Sequence, residues 1–161
     1  MAVQLTVNGQ AHTLEVPDNE LLIDTLRDRL GLIGAHESCG TQICGSCTVL
    51  VDGEPVSSCC VLTARLDGVE VLTVEGLGQE GNLHPIQQAF IEERGFQCAF
   101  CTSGMMLTTL AFLREHPNPT RDQIREGLAG NICRCAGYED MVRAVQRAAE
   151  AMRASGELAS A

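Results

Sequence analysis

Nine cysteines in a chain of 161 residues constrain this sequence more than any other feature. Eight of them fall into two sets of four. The first reads Cys39-x4-Cys44-x2-Cys47-x11-Cys59, and the second Cys98-x2-Cys101-x31-Cys133-x1-Cys135. Cys60 is left over. The N-terminus, MAVQLTVNGQ, lacks a basic region followed by an apolar run, so no signal peptide is expected and the location implied is the reducing cytoplasm. An odd number of thiols in that compartment is not a disulfide framework. Metal ligation is the leading account of them.

The first spacing is the plant-type [2Fe–2S] pattern, a C-x4-C-x2-C run with one distant Cys. Three thiolates on a short loop wrap a rigid two-iron rhomb, and the fourth arrives from a neighbouring element. Small residues in the loop (Gly40, Gly45 and Ser46) let backbone N–H groups turn toward the sulfides, where they tune the potential. The interval to Cys59 is shorter than in plant ferredoxins, so simple ferredoxin identity does not follow. In the second set both cysteine pairs precede expected helices. Helix N-terminal N–H groups and the helix dipole stabilise thiolates and an anionic cluster. Phe96, Phe100 and Ile132 are expected to screen it from water. A central cluster would also explain a domain folding with few aromatics, since the chain has one Tyr, four Phe and no Trp. Four-thiolate zinc stays open, more for the second set than the first. A thioredoxin-type pair at Cys98 and Cys101 lacks its βαβ context. Cys60 reads as a structural thiol, but its position beside Cys59 leaves open which of the two binds.

The pattern divides the chain into residues 1–75, a linker at 76–83, a helical region at 84–155 and a flexible tail at 156–161. In the first part Gln4–Val7 and Gln10–Val16 flank Asn8-Gly9, a hairpin signal. Asp18 is the expected N-cap of a helix from Glu20 to Leu30, with Leu22, Leu26 and Leu30 on one face. A second hairpin turns at Asp52-Gly53, and a last strand runs over Val69–Val74. Beyond the glycine-containing linker (Gly76, Gly78, Gly81) the apolar period becomes helical. Helices are expected at Pro85–Arg94, Thr102–Glu115, Thr120–Ala129 and Glu139–Arg153. Thr120 and Gln123 have capping-box spacing, and Pro85 sits where a first-turn proline is tolerated. Short connections make this a compact four-helix domain.

A formal net charge of −10 with no Lys repels phosphate backbones and anionic lipid heads, so nucleic acid is not an expected partner. Apolar runs stay far below the roughly 18 residues of a membrane span. His12, His36, His84 and His116 lack the C-x-H spacing of a Rieske centre and read as surface or capping residues. Glu92-Glu93-Arg94 and the Asp24, Arg27, Asp28 group read as solvated faces. Met105 and Met106 suit packing or an interface. No P-loop, G-x-G-x-x-G or nucleophile-and-base constellation is present, so no catalytic residue is assigned.

Taken in order, CGTQICGSC, VSSC, QCAFCTSGM and GNICRCAGY resemble the two-cluster iron–sulfur subunit of the molybdenum hydroxylases, over roughly Gln4 to Met152. That family includes xanthine dehydrogenase, aldehyde oxidoreductase, carbon monoxide dehydrogenase and quinoline oxidoreductases. The resemblance implies an α+β chain, with an N-terminal β-grasp ferredoxin-like domain followed by an all-α four-helix domain. Each would hold one [2Fe–2S] cluster, on Cys39/Cys44/Cys47/Cys59 and on Cys98/Cys101/Cys133/Cys135. It further implies a large partner subunit with molybdopterin, approached by Gln97 and Cys135, and FAD or a cytochrome as onward acceptor. The activity implied is one-electron transfer during hydroxylation of a substrate by water. A free-standing two-cluster ferredoxin is the alternative, distinguished by having no large apolar face. Two departures from the family pattern stand out. Gln42 occupies a usual Gly position, and Ser103 a usual Pro.

Overall fold

A computed structural model describes residues 1–79 and 81–158. Strand β1 (Ala2–Val7) pairs antiparallel with β2 (Gln10–Glu15) through the Asn8-Gly9 turn, where both residues take positive φ. A mirror-image turn of this kind matches the twist of the flanking strands. The pattern repeats at Asp52-Gly53 between β3 (Thr48–Val51) and β4 (Glu54–Ser57). Strand β5 (Glu70–Leu72) lies between β1 and β3, parallel to β1 and antiparallel to β3, and gives the order β2-β1-β5-β3-β4. Alternation along β1 buries Val3, Leu5 and Val7 on one face, against Leu22 and Leu26.

The helix that fills this face is shorter than expected. α1 (Leu22–Asp24) has Leu21 as its N-cap and continues as a π-helical stretch over Thr25–Arg29. Asp18 does not cap it; its carboxylate pairs with the N-terminal ammonium at 3.9 Å. Arg27, expected on a solvated face, donates to the carbonyls of Ile33 and Ala35 and so organises the chain leading to the first cysteines. In place of a cap, Glu20 accepts from Thr25 and from Arg29 bidentately, which holds its carboxyl below the usual range.

The second half comprises α2 (Pro85–Glu92), α3 (Thr102–Glu115), α4 (Arg121–Gly127) and α5 (Tyr138–Ser155). α4 starts with the capping box expected of Thr120 and Gln123, and α2 with one made by His84 and Gln87, with Pro85 at the first position. α5 buries Met141, Val142, Ala144, Val145, Ala148, Ala149 and Met152, a stripe of helical period, against α2 and α4. Its outer face is solvated, and Arg147 there pairs with Glu92 of α2 and with Glu93 at that helix's C-terminal cap. Phe90, Met105, Leu113 and Met152 are wholly buried in this core. Each is worth about 1.5–3 kcal/mol in burial alone.

The tail, expected to fray, is held in place. α5 runs to Ser155 and ends at left-handed Gly156, Glu157 accepts from His84 Nε2 at 2.7 Å, and Leu158 is buried. Residues 159–161 of that tail lie outside the described residues.

The halves share β3: Val49 faces the N-terminal core, while Leu50 belongs to the helical core. Gly104, in the first turn of α3, lies against Gly45 of the cysteine loop so closely that a Cβ there would stand 2.0 Å from the Gly45 carbonyl oxygen. This junction positions both cysteine sets.

Candidate metal centres

All nine cysteines are free thiols. Cys39, Cys44 and Cys47 lie on the loop between the π-helical stretch and β3; Cys59 lies on a 3-10 turn, Ser58–Cys60, directly after β4. The β3–β4 hairpin folds that turn back onto the loop, where Ser58 donates to the Cys47 carbonyl through both its N–H and its hydroxyl. Cys44, Cys47 and Cys59 are buried, and Cys39 is partly exposed. Cys60 points outward. Its sulfur is 3.7 Å from that of Cys59 and 3.8 Å from the Gly40 carbonyl.

In the second set Cys101 is the N-cap residue of α3, and Cys98 stands one turn before it. Cys133 and Cys135 occupy the turn that leads into α5. The buried core to which α3 and α5 both contribute closes the 31-residue gap, and the sulfurs of Cys98 and Cys135 approach to 3.5 Å. Cys101 and Cys133 are buried, Cys98 exposed and Cys135 intermediate.

The electrostatics separate one outer thiol from one inner thiol in each set. The N–H and hydroxyl of Thr41, with the N–H groups of Cys44 and Ile43, point at the Cys39 sulfur and hold its thiol down to about 6. The N–H of Phe100 likewise lowers Cys98. On the inner side burial pushes Cys47 up to about 11 and Cys101 up to about 12, each beside a second thiol, Cys59 and Cys133 respectively. Cys47 and Cys101 therefore ionise at neutral pH only when a metal displaces their protons.

The backbone is strained where such a group would sit. Among the described residues six other than glycine have positive φ; Asn8 and Asp52 are hairpin positions and Arg94 follows α2, but Gln42, Ala99 and Ala136 all lie in the cysteine turns. Gln42 adopts φ 64° in spite of its side chain, and its N–H is aimed at Cys59. A left-handed residue costs about 1–2 kcal/mol and persists where its surroundings over-determine it. Successive N–H groups turned inward form an anion-binding nest. Beside Cys101, the hydroxyls of Thr102 and Ser103 are buried with no partner among the described residues. Ser103, at the usual Pro position, thus adds a donor that proline lacks.

Among the described residues no three His, Cys, Asp or Glu side chains converge as around one ion. Cys47 lies beside Cys59, Cys101 beside Cys133 and Cys98 beside Cys135, and such thiol pairs are what a two-iron cluster with two thiolates per iron requires. The donor sets therefore fit [2Fe–2S] groups.

Sequence reasoning missed the groups that join the sites. The Ile132 N–H donates to the Cys44 carbonyl at 2.9 Å, and Asn131 Nδ2 to the Gly45 carbonyl at 3.1 Å. The His36 imidazole, just before the first loop, stacks on Phe100 of the second with centroids 4.6 Å apart. Asn131 and Ile132 both lie inside the GNICRC string, but Ile132 and Phe100 were expected only to screen the second site, not to join it to the first. Phe96, Phe100 and Ile132, expected to cover the second site, leave 37–48% of their surface exposed and form an open apolar rim. Gln97 is also exposed, its amide donating to the Cys135 carbonyl at 3.3 Å. Met105 and Met106 are buried packing residues.

Two family profiles match the chain: "2Fe-2S iron-sulfur cluster binding domain" over residues 5–73 and "[2Fe-2S] binding domain" over residues 73–146. The aldehyde oxidoreductase iron–sulfur-binding subunit PaoA of Escherichia coli (strain K12) is 43% identical over 92% of this chain and 72% of its own. The nicotinate dehydrogenase small FeS subunit of Eubacterium barkeri is 39% identical over 93% of this chain and 96% of its own. Among solved structures, a chain of quinoline 2-oxidoreductase from Pseudomonas putida 86 superposes with a TM-score of 0.91 at 41% identity, over 96% of both chains. The aldehyde oxidoreductase of Desulfovibrio desulfuricans matches equally well, at 39% identity and TM-score 0.91, but this chain spans 18% of it. The β-grasp and helical halves, their two cluster-binding profiles and these relatives together establish that the chain belongs to the family of two-cluster [2Fe–2S] electron-transfer subunits of multi-subunit molybdenum hydroxylases.

Proposed function

We propose that Cys39, Cys44, Cys47 and Cys59 hold one [2Fe–2S] cluster, and Cys98, Cys101, Cys133 and Cys135 the other. The chain would then relay single electrons from a molybdopterin in a large partner subunit to FAD or another acceptor such as a cytochrome. When bound, each cluster supplies a site that gains and loses one electron; the protein supplies burial, spacing and hydrogen bonds to sulfur. The observation that carries this reading is the direct link between the two thiol sets, in which the peptide preceding Cys133 donates its Ile132 N–H to the carbonyl of Cys44. One hydrogen bond and a short covalent path thus run from one ligand set to the other.

The exposed rim at the second site supports its assignment to the molybdopterin side. Cys98, Gln97, Phe96, Phe100 and Ile132 all reach the surface there, and the Gln97 amide steadies Cys135. Gln97 and Cys135 are the groups we assign to the contact with the partner's molybdopterin. Such an apolar rim suits a permanent subunit better than a soluble shuttle. Relatives named for aldehydes, nicotinate and quinoline suggest an aldehyde, purine or N-heteroaromatic substrate, hydroxylated with water as the oxygen source. Nine free thiols suit the reducing cytoplasm.

EPR of the dithionite-reduced holoenzyme, with iron and sulfide quantified, tests the reading. Two distinct S = 1/2 signals with about four irons per chain are expected. One signal with about two irons and bound zinc would reduce the helical half to a structural site. Absence of iron from anaerobically purified protein would sink the proposal.

A further inference from the structure

Tyr138 is the chain's single tyrosine and the first residue of α5, three positions after Cys135. Its hydroxyl oxygen accepts the backbone N–H of Cys133 at 2.9 Å. The bond closes the turn Cys133–Tyr138, which also contains left-handed Ala136 and a second closure from the Ala136 N–H to the Cys133 carbonyl at 3.3 Å. The ring forms one wall of an apolar cavity of about 330 Å³, with Leu128, Ile132 and Val142.

At the first site the N–H groups of the cysteine loop are aimed at sulfur: those of Thr41, Ile43 and Cys44 at Cys39, and that of Gln42 at Cys59. At the second, the Phe100 N–H reaches Cys98 and the Cys98 N–H reaches Cys135, but the N–H of the buried Cys133 is given to a phenol. Hydrogen bonds to cluster sulfur favour the state with the extra electron and raise the potential. A ligand N–H satisfied elsewhere is withdrawn from that task.

Building on the ligand assignment above, we propose that Tyr138 is a positioning residue that acts through Cys133. It fixes the turn carrying Cys133 and Cys135, and it keeps the potential of the helical-domain cluster lower than the free turn would set it. The difference in potential between the two clusters, and with it the driving force for the step between them, then includes a contribution from one phenol oxygen.

The test is a redox titration of the holoenzyme carrying Tyr138→Phe, followed by EPR, with iron counted. A positive shift in midpoint of the helical-domain cluster, with altered g values, is expected while the β-grasp cluster stays unchanged. No shift at full iron content, a negative shift, or an equal shift of both clusters would overturn the proposal. Should the variant lose iron, holoenzyme grown with 3-fluorotyrosine decides instead. This chain is altered at Tyr138 alone, and the weaker phenol acceptor must give a smaller positive shift confined to the same cluster; no such shift overturns the proposal. Failure of the ligand assignment is seen separately, as wild-type holoenzyme that lacks one of the two signals.

Discussion

In the β-grasp half three of the four thiols, Cys39, Cys44 and Cys47, lie on one loop, and Cys59 follows a single hairpin later. In the helical half two pairs stand 31 residues apart and meet only because one buried core gathers the start of α3 and the turn before α5. The first site is thus assembled from local chain, and the second from the tertiary core. They differ in exposure as well: at the first only Cys39 of its four thiols escapes burial, whereas at the second Cys98 and Cys135 reach a surface rimmed by Phe96, Phe100 and Ile132. A local loop can enclose its group by itself. A site built from two helix ends stays open along the line where those ends meet, which is where a partner can approach.

The sharpest way to break this comparison is Cys101→Ser. It removes a buried thiol from the helical set and is expected to abolish that EPR signal outright, halve the iron and stop electron delivery, with the β-grasp signal retained. Loss of both signals would show that the sites are one cooperative unit. Next in size is a contrast in thiol reactivity in metal-free protein at pH 7. Cys39, held to about 6, is thiolate and should be alkylated first by iodoacetamide, whereas Cys101, pushed up to about 12, should resist until unfolding. Peptide mapping by mass spectrometry reads the order. The signs also predict a pH dependence. Raised thiols such as Cys47 and Cys101 stabilise the metal-free fold below their ordinary value of 9.0, and that stability is lost as pH climbs toward 11 and 12. Cys39, lowered, contributes above its ordinary value, and its contribution fades as pH falls through 6.

Met105→Ala empties a wholly buried position one turn after Cys101 and should cost about 2–5 kcal/mol. In guanidinium titrations the helical signal should then vanish at lower denaturant than the β-grasp signal; simultaneous loss would contradict the local-versus-tertiary distinction. Gly104→Ala strikes the seam itself, since its methyl would meet the backbone oxygen of Gly45, which has no side chain to swing aside. A cost of about 1–3 kcal/mol is expected, with both EPR signals perturbed because both loops must shift. The smallest effect belongs to Gln42→Gly. It relieves a left-handed residue worth about 1–2 kcal/mol but adds about 0.5–1 kcal/mol of chain entropy, so thermal unfolding should shift upward only slightly.

Much of the architecture was legible in the sequence because the signals were local. Asn8-Gly9 and Asp52-Gly53 specify hairpins through the left-handed turns they tolerate, and Thr120 with Gln123 specifies a helix start through two reciprocal hydrogen bonds. The helix predicted from Glu20 failed for the same reason that propensity arguments often do. Glu20 was claimed by Thr25 and Arg29, and the chain entered its helix only at Leu22, where burial began. The tail after Met152 looked featureless, yet Glu157 and Leu158 are tied down by His84 and the helical core, contacts more than 70 residues away in sequence for the former.

By itself, the sequence determined which residue types and intervals were available: eight thiols in two registers, small residues at the turns, and enough apolar periodicity for a sheet followed by helices. Those follow from covalent order and local backbone preference. Only the tertiary structure decided that the two sets are neighbours, joined through Ile132, Asn131 and Gly104, that Cys60 faces outward while Cys59 faces Cys47, and that Tyr138 takes the N–H of Cys133. Each of these depends on how two independently patterned cores meet across β3, and no local pattern encodes the distance between backbones brought together by packing.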